Sequence, residues 1–338
     1  MQNSQDNKPG SNQDQREDSQ ELFYAKILLF GEYSVIFNSM ALSIPFGHFT
    51  AGFSFLNLHK YTHHTFALQS NTLLKEYCSW LSEVNNYGSL KNILDTDAFK
   101  RDLDQGMFLE SNIPQGYGLG SSGALCAAVY DRYAVKKLSN GSAPGLVEMR
   151  ELKKIFAIME SWFHGTSSGM DPLNSYFRRP VLVEPVENVS ITNIPRHDKE
   201  KGAAIFLINT GRSRKTEPLV KLFLEKSKKI DFMELIENTL IPAVNQCINS
   251  MVSANIPLFM SGLKTISRFQ LDNMKDMIPE DYMPVWENGL NTDDYYLKLC
   301  GSGGGGYLLG FTRNMEKTEN ILLKSSVSPI PVYMNTSV

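Results

Sequence analysis

Apolar positions along the chain switch between the spacing of strands and the spacing of helices. Lys26 to Ile36 reads as a buried strand with the lysine at its start, and Ala41 to Leu58 alternates apolar and polar residues in strand fashion. Leu73, Leu74, Tyr77, Trp80, Leu81 and Val84 then mark one face of an amphipathic helix. Met107-Phe108-Leu109 is a short apolar strand, Ala124, Leu125, Ala128, Val129 and Tyr133 return to helical spacing, and Val181-Leu182-Val183 is a further strand. A second half begins near Gly202, with a strand from Ala203 to Ile208 and helical stretches from Leu219 to Met251 and from Ile256 to Met277. Tyr295 to Leu299, Tyr307 to Phe311 and Ile330 to Met334 lead the chain back to a sheet. The order predicts an α+β chain in two units, residues 21–190 and 191–338. Residues 1–20 carry no aliphatic or aromatic side chain after Met1 and are rich in Gln, Asn, Asp and Ser, a composition that predicts a disordered tail.

Two glycine-rich segments interrupt this pattern. Pro114-Gln115-Gly116-Tyr117-Gly118-Leu119-Gly120-Ser121-Ser122-Gly123-Ala124 lies between the Met107 strand and the next helix. Glycines there let the backbone approach a ligand, and the following helix N-terminus offers N–H groups and the positive dipole end to an anion. No Gly-Lys-Ser/Thr follows, so this is not a Walker A loop, and a glycine-rich turn that binds nothing stays open. Lys298-Leu299-Cys300-Gly301-Ser302-Gly303-Gly304-Gly305-Gly306 contains Gly-x-Gly-x-x-Gly, but an apolar strand follows it, and too little chain remains for a dinucleotide-binding βαβ fold. Its reading is a loop with a bare backbone packed close to phosphates or to the first glycine segment, or else a tight hairpin.

Pro-x-x-x-Gly-Leu-Gly-Ser-Ser resembles the second motif of the GHMP kinases, the small-molecule kinases named for galactose, homoserine, mevalonate and phosphomevalonate. Lys26-Ile27-Leu28-Leu29-Phe30-Gly31-Glu32 is similar to the opening motif of that family, and the 298–310 glycine run to its third. Glu160, followed eleven residues later by Asp171 in His164-Gly165-Thr166-Ser167-Ser168-Gly169-Met170-Asp171, resembles the mevalonate kinase branch. So does Asn209-Thr210-Gly211-Arg212-Ser213-Arg214-Lys215-Thr216-Glu217-Pro218-Leu219-Val220. The resemblance implies the two-domain GHMP kinase fold, with a ribosomal protein S5 domain 2-like N-terminal domain that binds ATP and a ferredoxin-like C-terminal domain. It implies ATP-dependent phosphorylation of mevalonate at its 5-hydroxyl in isoprenoid biosynthesis, with phosphomevalonate kinase or another kinase of the family, or a catalytically silent nucleotide- or metabolite-binding relative, as alternatives.

Residue by residue, the resemblance makes Asp171 the base for the acceptor hydroxyl, with Lys26 beside it to favour the carboxylate and neutralise the moving phosphoryl group. Pro114, Gly116, Gly118, Leu119, Gly120, Ser121, Ser122 and Gly123 would hold ATP. Ser122 and Glu160 would ligate Mg2+, a sparse protein contribution of the kind this ion takes, although both loop serines are also good helix N-caps. Lys26, Glu32, Tyr33, His164, Gly169, Asp171, Arg214, Thr216, Gly303 and Gly304 would line the acceptor site. Arg212, Arg214 and Lys215 read equally as a solvated basic cluster, and His164 as a residue that hydrogen-bonds backbone.

Four positions depart from the family pattern. Tyr24-Ala25 replaces Pro-Gly, Tyr33 replaces a histidine that lies near mevalonate in the family, Gly123 replaces alanine, and Phe177-Arg178-Arg179-Pro180 stands where a Gly-Gly pair is common. The two arginines are candidates for reading a second anionic group, or lie in a surface loop. Composition changes little in this picture. The 33 basic and 36 acidic residues leave a net charge of −3, which recruits neither nucleic acid nor an anionic membrane. Cys78, Cys126, Cys247 and Cys300 are widely spaced and suggest neither a disulfide framework nor a zinc site. With no secretion signal and no spanning apolar run, a cytoplasmic enzyme is expected. A homodimer is compatible with the sequence without being required by it.

Overall fold

The alternation after residue 41 is realised as one long strand around which the first sheet is assembled. In the computed structural model, residues 21–56, 64–138, 144–186, 188–194, 202–213 and 216–334 are described, the side chain of Thr216 excepted. The polar segment 1–20, Arg214 and Lys215 lie outside the described residues.

Strand β1 (Phe23–Phe30) pairs antiparallel along one edge of β2 (Ala41–Phe55). After α1 (His64–Tyr87) and α2 (Thr96–Asp104), β3 (Met107–Ser111) joins the far half of the other edge of β2. Helices α3 (Ser121–Tyr133), α4 (Leu146–His164) and α5 (Met170–Phe177) follow. Then β4 (Val181–Glu184) pairs with the start of β2, and β5 (Asn188–Ile191) with β4. Pro45 and Gly47 fall on β2 between the β4 and β3 pairings, where a missing N–H donor costs no ladder bond. Helices α3 and α5 pack on each other and on β1 and β2, and α3 is buried without a break from Gly123 to Tyr130.

The strand predicted over 26–36 begins earlier and ends earlier. Lys26 stands in the middle of β1, opposite Pro45, because Phe23 to Ala25 also pair with β2. The strand stops at Phe30, since Gly31 at φ +107° and Tyr33 at φ +64° leave extended geometry, and a 3-10 turn follows at Ser34–Phe37.

The second half starts with β6 (Ala204–Asn209), α6 (Thr216–Ser227) and α7 (Ile230–Leu235). A π-helical turn at Ile236–Leu240 then leads into α8 (Ile241–Val252). The predicted helical stretch breaks at Lys229, whose ψ of 127° is extended, while before Pro242 the helix only widens to a π turn, because Pro242 has no N–H for the preceding turn and its ring displaces the carbonyl four residues back. The chain continues through α9 (Ile256–Asn273), α10 (Met283–Thr292), β7 (Tyr295–Leu299), β8 (Tyr307–Thr312), α11 (Met315–Lys324) and β9 (Pro329–Met334). The four strands lie antiparallel in the order β7-β8-β6-β9. With helices in the two long connections this is the βαββαβ arrangement of ferredoxin-like folds.

The halves share a core. Phe30 at the end of β1 stacks on Phe311 of β8 with ring centroids 5.7 Å apart and meets Phe259 of α9 edge-on at 6.0 Å. Met40 N donates to Asn245 Oδ1 at 2.9 Å across the same seam. Among the described residues no helix is long and apolar enough to cross a membrane.

Candidate functional site

Three helix ends and one strand meet at a single point. The Met107–Ser111 strand delivers the glycine segment to the N-terminus of α3, and Lys26 N donates to Leu119 O at 2.9 Å, which fastens that segment to β1. Gly120 caps α3 in the left-handed conformation at φ +74°. A Cβ on it would lie 2.9 Å from Lys26 Cγ and 3.4 Å from Asp171 Oδ2, so a bare backbone is required for the loop to sit on that pair. Lys26 Nζ is 3.0 Å from Asp171 Oδ1. Asp171 stands in the first turn of α5, where the helix dipole favours a negative charge.

From the opposite side, α4 supplies Glu160 and His164, one turn apart on one face. Ser122 Oγ donates to Glu160 Oε1 at 2.9 Å and lies 3.1 Å from His164 Nε2. Ser167 Oγ donates to Glu160 Oε2 and accepts from Gly169 N at 3.0 Å, which ties the loop before α5 to α4. Gly169 itself is packed: a Cβ there would fall 2.2 Å from Lys153 O.

The electrostatics follow from crowding unlike and like charges in little water. Burial, and after it the charge of Asp171, pushes the Glu160 carboxyl up to about 7, against the hydrogen bonds of Ser167 and Ser122 and the charge of Lys26. Burial alone would lower Lys26, but the charge and hydrogen bond of Asp171, helped by Cys300 and Glu160, raise it above its ordinary value. Among the described residues no group of three or more His, Cys, Asp and Glu side chains could hold a metal ion by itself. The donors present nonetheless fit Mg2+. A carboxyl kept near neutrality by burial and by a second carboxylate, with a hydroxyl 2.9 Å away, regains its charge when a cation arrives, and Mg2+ keeps most of its waters.

Other expected site residues are placed differently. Glu32 is buried and ion-paired with Lys298, and Tyr33 is buried with its hydroxyl on Ser302 O at 2.5 Å. Gly303 and Gly304 press on Met277 and Leu219, whereas Gly306 touches the Pro114–Ala124 segment, its Cβ position 3.0 Å from Tyr117 O. Tyr117 and Tyr307 rings lie 5.3 Å apart at the same junction. Arg212 pairs with Asp281. Arg214 lies outside the described residues, and Thr216 opens α6. Arg178 pairs with Glu21 and Arg179 donates to Asn193, at the end of α5 away from Asp171, so neither faces the Lys26–Asp171 pair. Two residues that sequence reasoning passed over matter here. Ser167 holds Glu160 but has no distinguishing neighbour pattern, while Lys298 had a signal, a lysine inside the apolar strand Tyr295–Leu299.

Solved structures share this fold across nearly their full length. A mevalonate kinase from L. major in complex with R-mevalonate is 14% identical with a TM-score of 0.59, covering 94% of this chain and 97% of that one. A phosphomevalonate kinase from Streptococcus pneumoniae in complex with phosphomevalonate and AMPPNP is 13% identical with a TM-score of 0.58, covering 92% and 99%. A galactokinase from Lactococcus lactis complexed with galactose is 12% identical with a TM-score of 0.59, covering 95% and 95%. At these identities the likeness establishes the fold. No curated protein matches the chain by sequence. Residues 87–179, from the end of α1 to the loop after α5, match the family described as GHMP kinases N terminal domain, so the segment that carries the α3 loop and the first turn of α5 is the part of the chain that resembles this kinase family in sequence.

Proposed function

We propose that this protein is an ATP-dependent kinase and that its acceptor is mevalonate, phosphorylated at the 5-hydroxyl. The observation that carries the reading is the Lys26–Asp171 pair at 3.0 Å, set beneath the N-terminus of α3 and beside the Ser122–Glu160 contact. In this reading residues 21–190 form the nucleotide-binding unit, residues 191–338 the second, and substrates lie between them. ATP phosphates rest on the Pro114–Gly123 loop and the positive end of α3. Asp171 takes the proton of the acceptor hydroxyl as the γ-phosphoryl group moves, and Lys26 offsets the negative charge spread over that group. Ser122 and Glu160 hold Mg2+, which supplies further neutralisation of phosphate charge when bound. His164 orients the Ser122 hydroxyl. Positioning and charge neutralisation do most of the work, as phosphoryl transfer asks little covalent chemistry of the protein.

The acceptor rests on the mevalonate kinase-like motifs around Glu160–Asp171 and Asn209–Val220. Release of ADP by purified protein with Mg-ATP tests it against mevalonate, 5-phosphomevalonate, galactose and homoserine. Turnover with mevalonate alone supports the reading. Turnover with another member of the panel moves the acceptor and keeps the catalytic assignment, and AMPPNP binding without turnover on any of them points to a silent relative.

A further inference from the structure

The turn that leads out of β1 holds a conformation its residues do not favour. Tyr33 has φ +64° and ψ −46°, and Ser34 N donates to Glu32 O at 2.7 Å. Glu32-Tyr33-Ser34 is therefore a γ-turn of the positive-φ form, which is rare and strained for a residue with a Cβ. Such strain persists where the surroundings over-determine it, and here the surroundings come from the other half of the molecule. The Glu32 carboxylate, 3% exposed, accepts from Lys298 Nζ, 2% exposed, and from the backbone N–H of Gly301. The Tyr33 hydroxyl donates to Ser302 O at 2.5 Å, and its ring stacks on Phe223 of α6 at 4.4 Å. Lys298 also donates to Leu299 O at 2.7 Å and lies 5.7 Å above the Phe30 ring.

These contacts grip the first residues of the glycine run. Its last residue is gripped elsewhere: Gly306 N donates to Arg212 O at 2.6 Å, Thr210 Oγ1 donates to Gly306 O at 2.8 Å, and Gly306 sits against Tyr117 of the α3 loop. Its middle is tied at Gly304 N, which donates to Met277 O at 2.6 Å; a glycine run has little stiffness of its own, so the place of its backbone against that loop depends on these ties and on the grips at its two ends together. A buried ion pair adds little net stability but is suited to fixing one register among alternatives, because the wrong register leaves a buried charge unpaired.

We propose that Glu32 and Tyr33 are positioning residues that form a latch: from a strained turn in the first half they hold Gly301–Gly306 in register with the α3 loop. The catalytic consequence rests on the kinase reading, whereas the latch itself does not. Hydrogen exchange at the Gly304 and Gly306 amides, bonded to Met277 O and Arg212 O within the second half, is the direct probe of how firmly the run is held, read in Glu32→Gln/Lys298→Met and in Tyr33→Phe. The double variant removes both charges together and leaves neither unpaired. We expect exchange there to rise about tenfold while Met107–Ser111 keeps its wild-type rate, with kcat falling more than KM changes and Mg-AMPPNP bound more weakly. Wild-type exchange at Gly304 and Gly306 in both variants overturns the latch. So does an equal rise in Met107–Ser111, which would make the pair an ordinary contribution to global stability. If the wild-type protein binds no Mg-AMPPNP, the kinase reading fails, and the exchange comparison still decides the latch.

Discussion

The Ser122 hydroxyl donates to Glu160 Oε1 at 2.9 Å and so joins the first turn of α3 to α4. Through this contact, and the one from Ser167 to the other carboxylate oxygen, a carboxyl group that is 4% exposed is held next to the Lys26–Asp171 pair. Four consequences can be measured.

Glu160 makes the metal-free protein pH-sensitive. Its carboxyl is raised on folding from 4.5 to about 7, first by burial and then by Asp171, so the native state favours the protonated form. The group is neutral to stability below about pH 4.5, becomes a growing cost as the pH rises towards 7, and is a constant cost above that. Glu160→Gln should therefore be more stable than wild type at pH 8 by up to about 3 kcal/mol and close to it near pH 4.5. Urea unfolding in EDTA at the two pH values measures the difference, and equal differences at both would remove the buried carboxyl as its source. Added Mg2+ should stabilise wild type at pH 8 more than the variant, and Glu160→Ala should need more Mg2+ for turnover.

Asp171→Asn keeps the size and the helix position of the side chain but cannot take a proton. We expect kcat to fall by at least about 10²-fold with AMPPNP affinity retained, by the usual weight of a general base. Near-normal ADP release would strip Asp171 of that role.

Gly123→Ala should be costly in this chain. A Cβ at residue 123 would stand 2.7 Å from the Asp171 carbonyl carbon, 2.8 Å from its Cβ and 2.8 Å from Pro172 N, all on the first turn of α5. Since backbone must move, a loss of about 1–3 kcal/mol is expected, together with a drop in kcat as Asp171 shifts away from Lys26. Urea midpoints and steady-state rates read the two effects separately, and an alanine variant with wild-type values for both would show that α3 and α5 can separate freely.

Phe30→Ala tests the shared core. Phe30 is fully buried between Phe311 and Phe259, so its truncation should cost about 3–5 kcal/mol. A single unfolding transition at lower urea is the expected result. Two separate transitions would mean that the halves unfold independently once this ring is gone.

Much of the fold was legible because its periodicities are local. The alternation of Ala41–Phe55, the helical spacing around Ala124–Tyr133 and the three C-terminal strands appear where the sequence puts them, within a few residues. Less legible were β5 and α11. Asn188–Ile191 is a short strand at the edge of its sheet, paired with β4, and Met315–Lys324 follows the turn after β8 with few apolar residues to set a period. The end of β1 was misjudged, because the apolar run Val35-Ile36-Phe37 continues beyond the point where Gly31 and Tyr33 turn the backbone.

The residues of the candidate site were nameable from the chain, since glycine-rich loops, a serine pair at a helix start and a spaced Glu and Asp leave a linear trace. Their geometry was not. Lys26 and Asp171 stand 145 positions apart in the sequence, and their 3.0 Å approach exists only because β1, the Gly120 cap and the start of α5 converge. The sequence alone determined the order of elements and the chemical groups available, both set by side-chain type and short-range spacing. Tertiary structure alone decided that Glu160 is buried beside the part-exposed Asp171 and that its carboxyl is pushed up to about 7. It also decided that Glu32 and Tyr33 are spent on Lys298 and Ser302 across the seam. Burial and pairing are properties of long-range contacts, and no local pattern encodes which distant group will occupy the space beside a side chain.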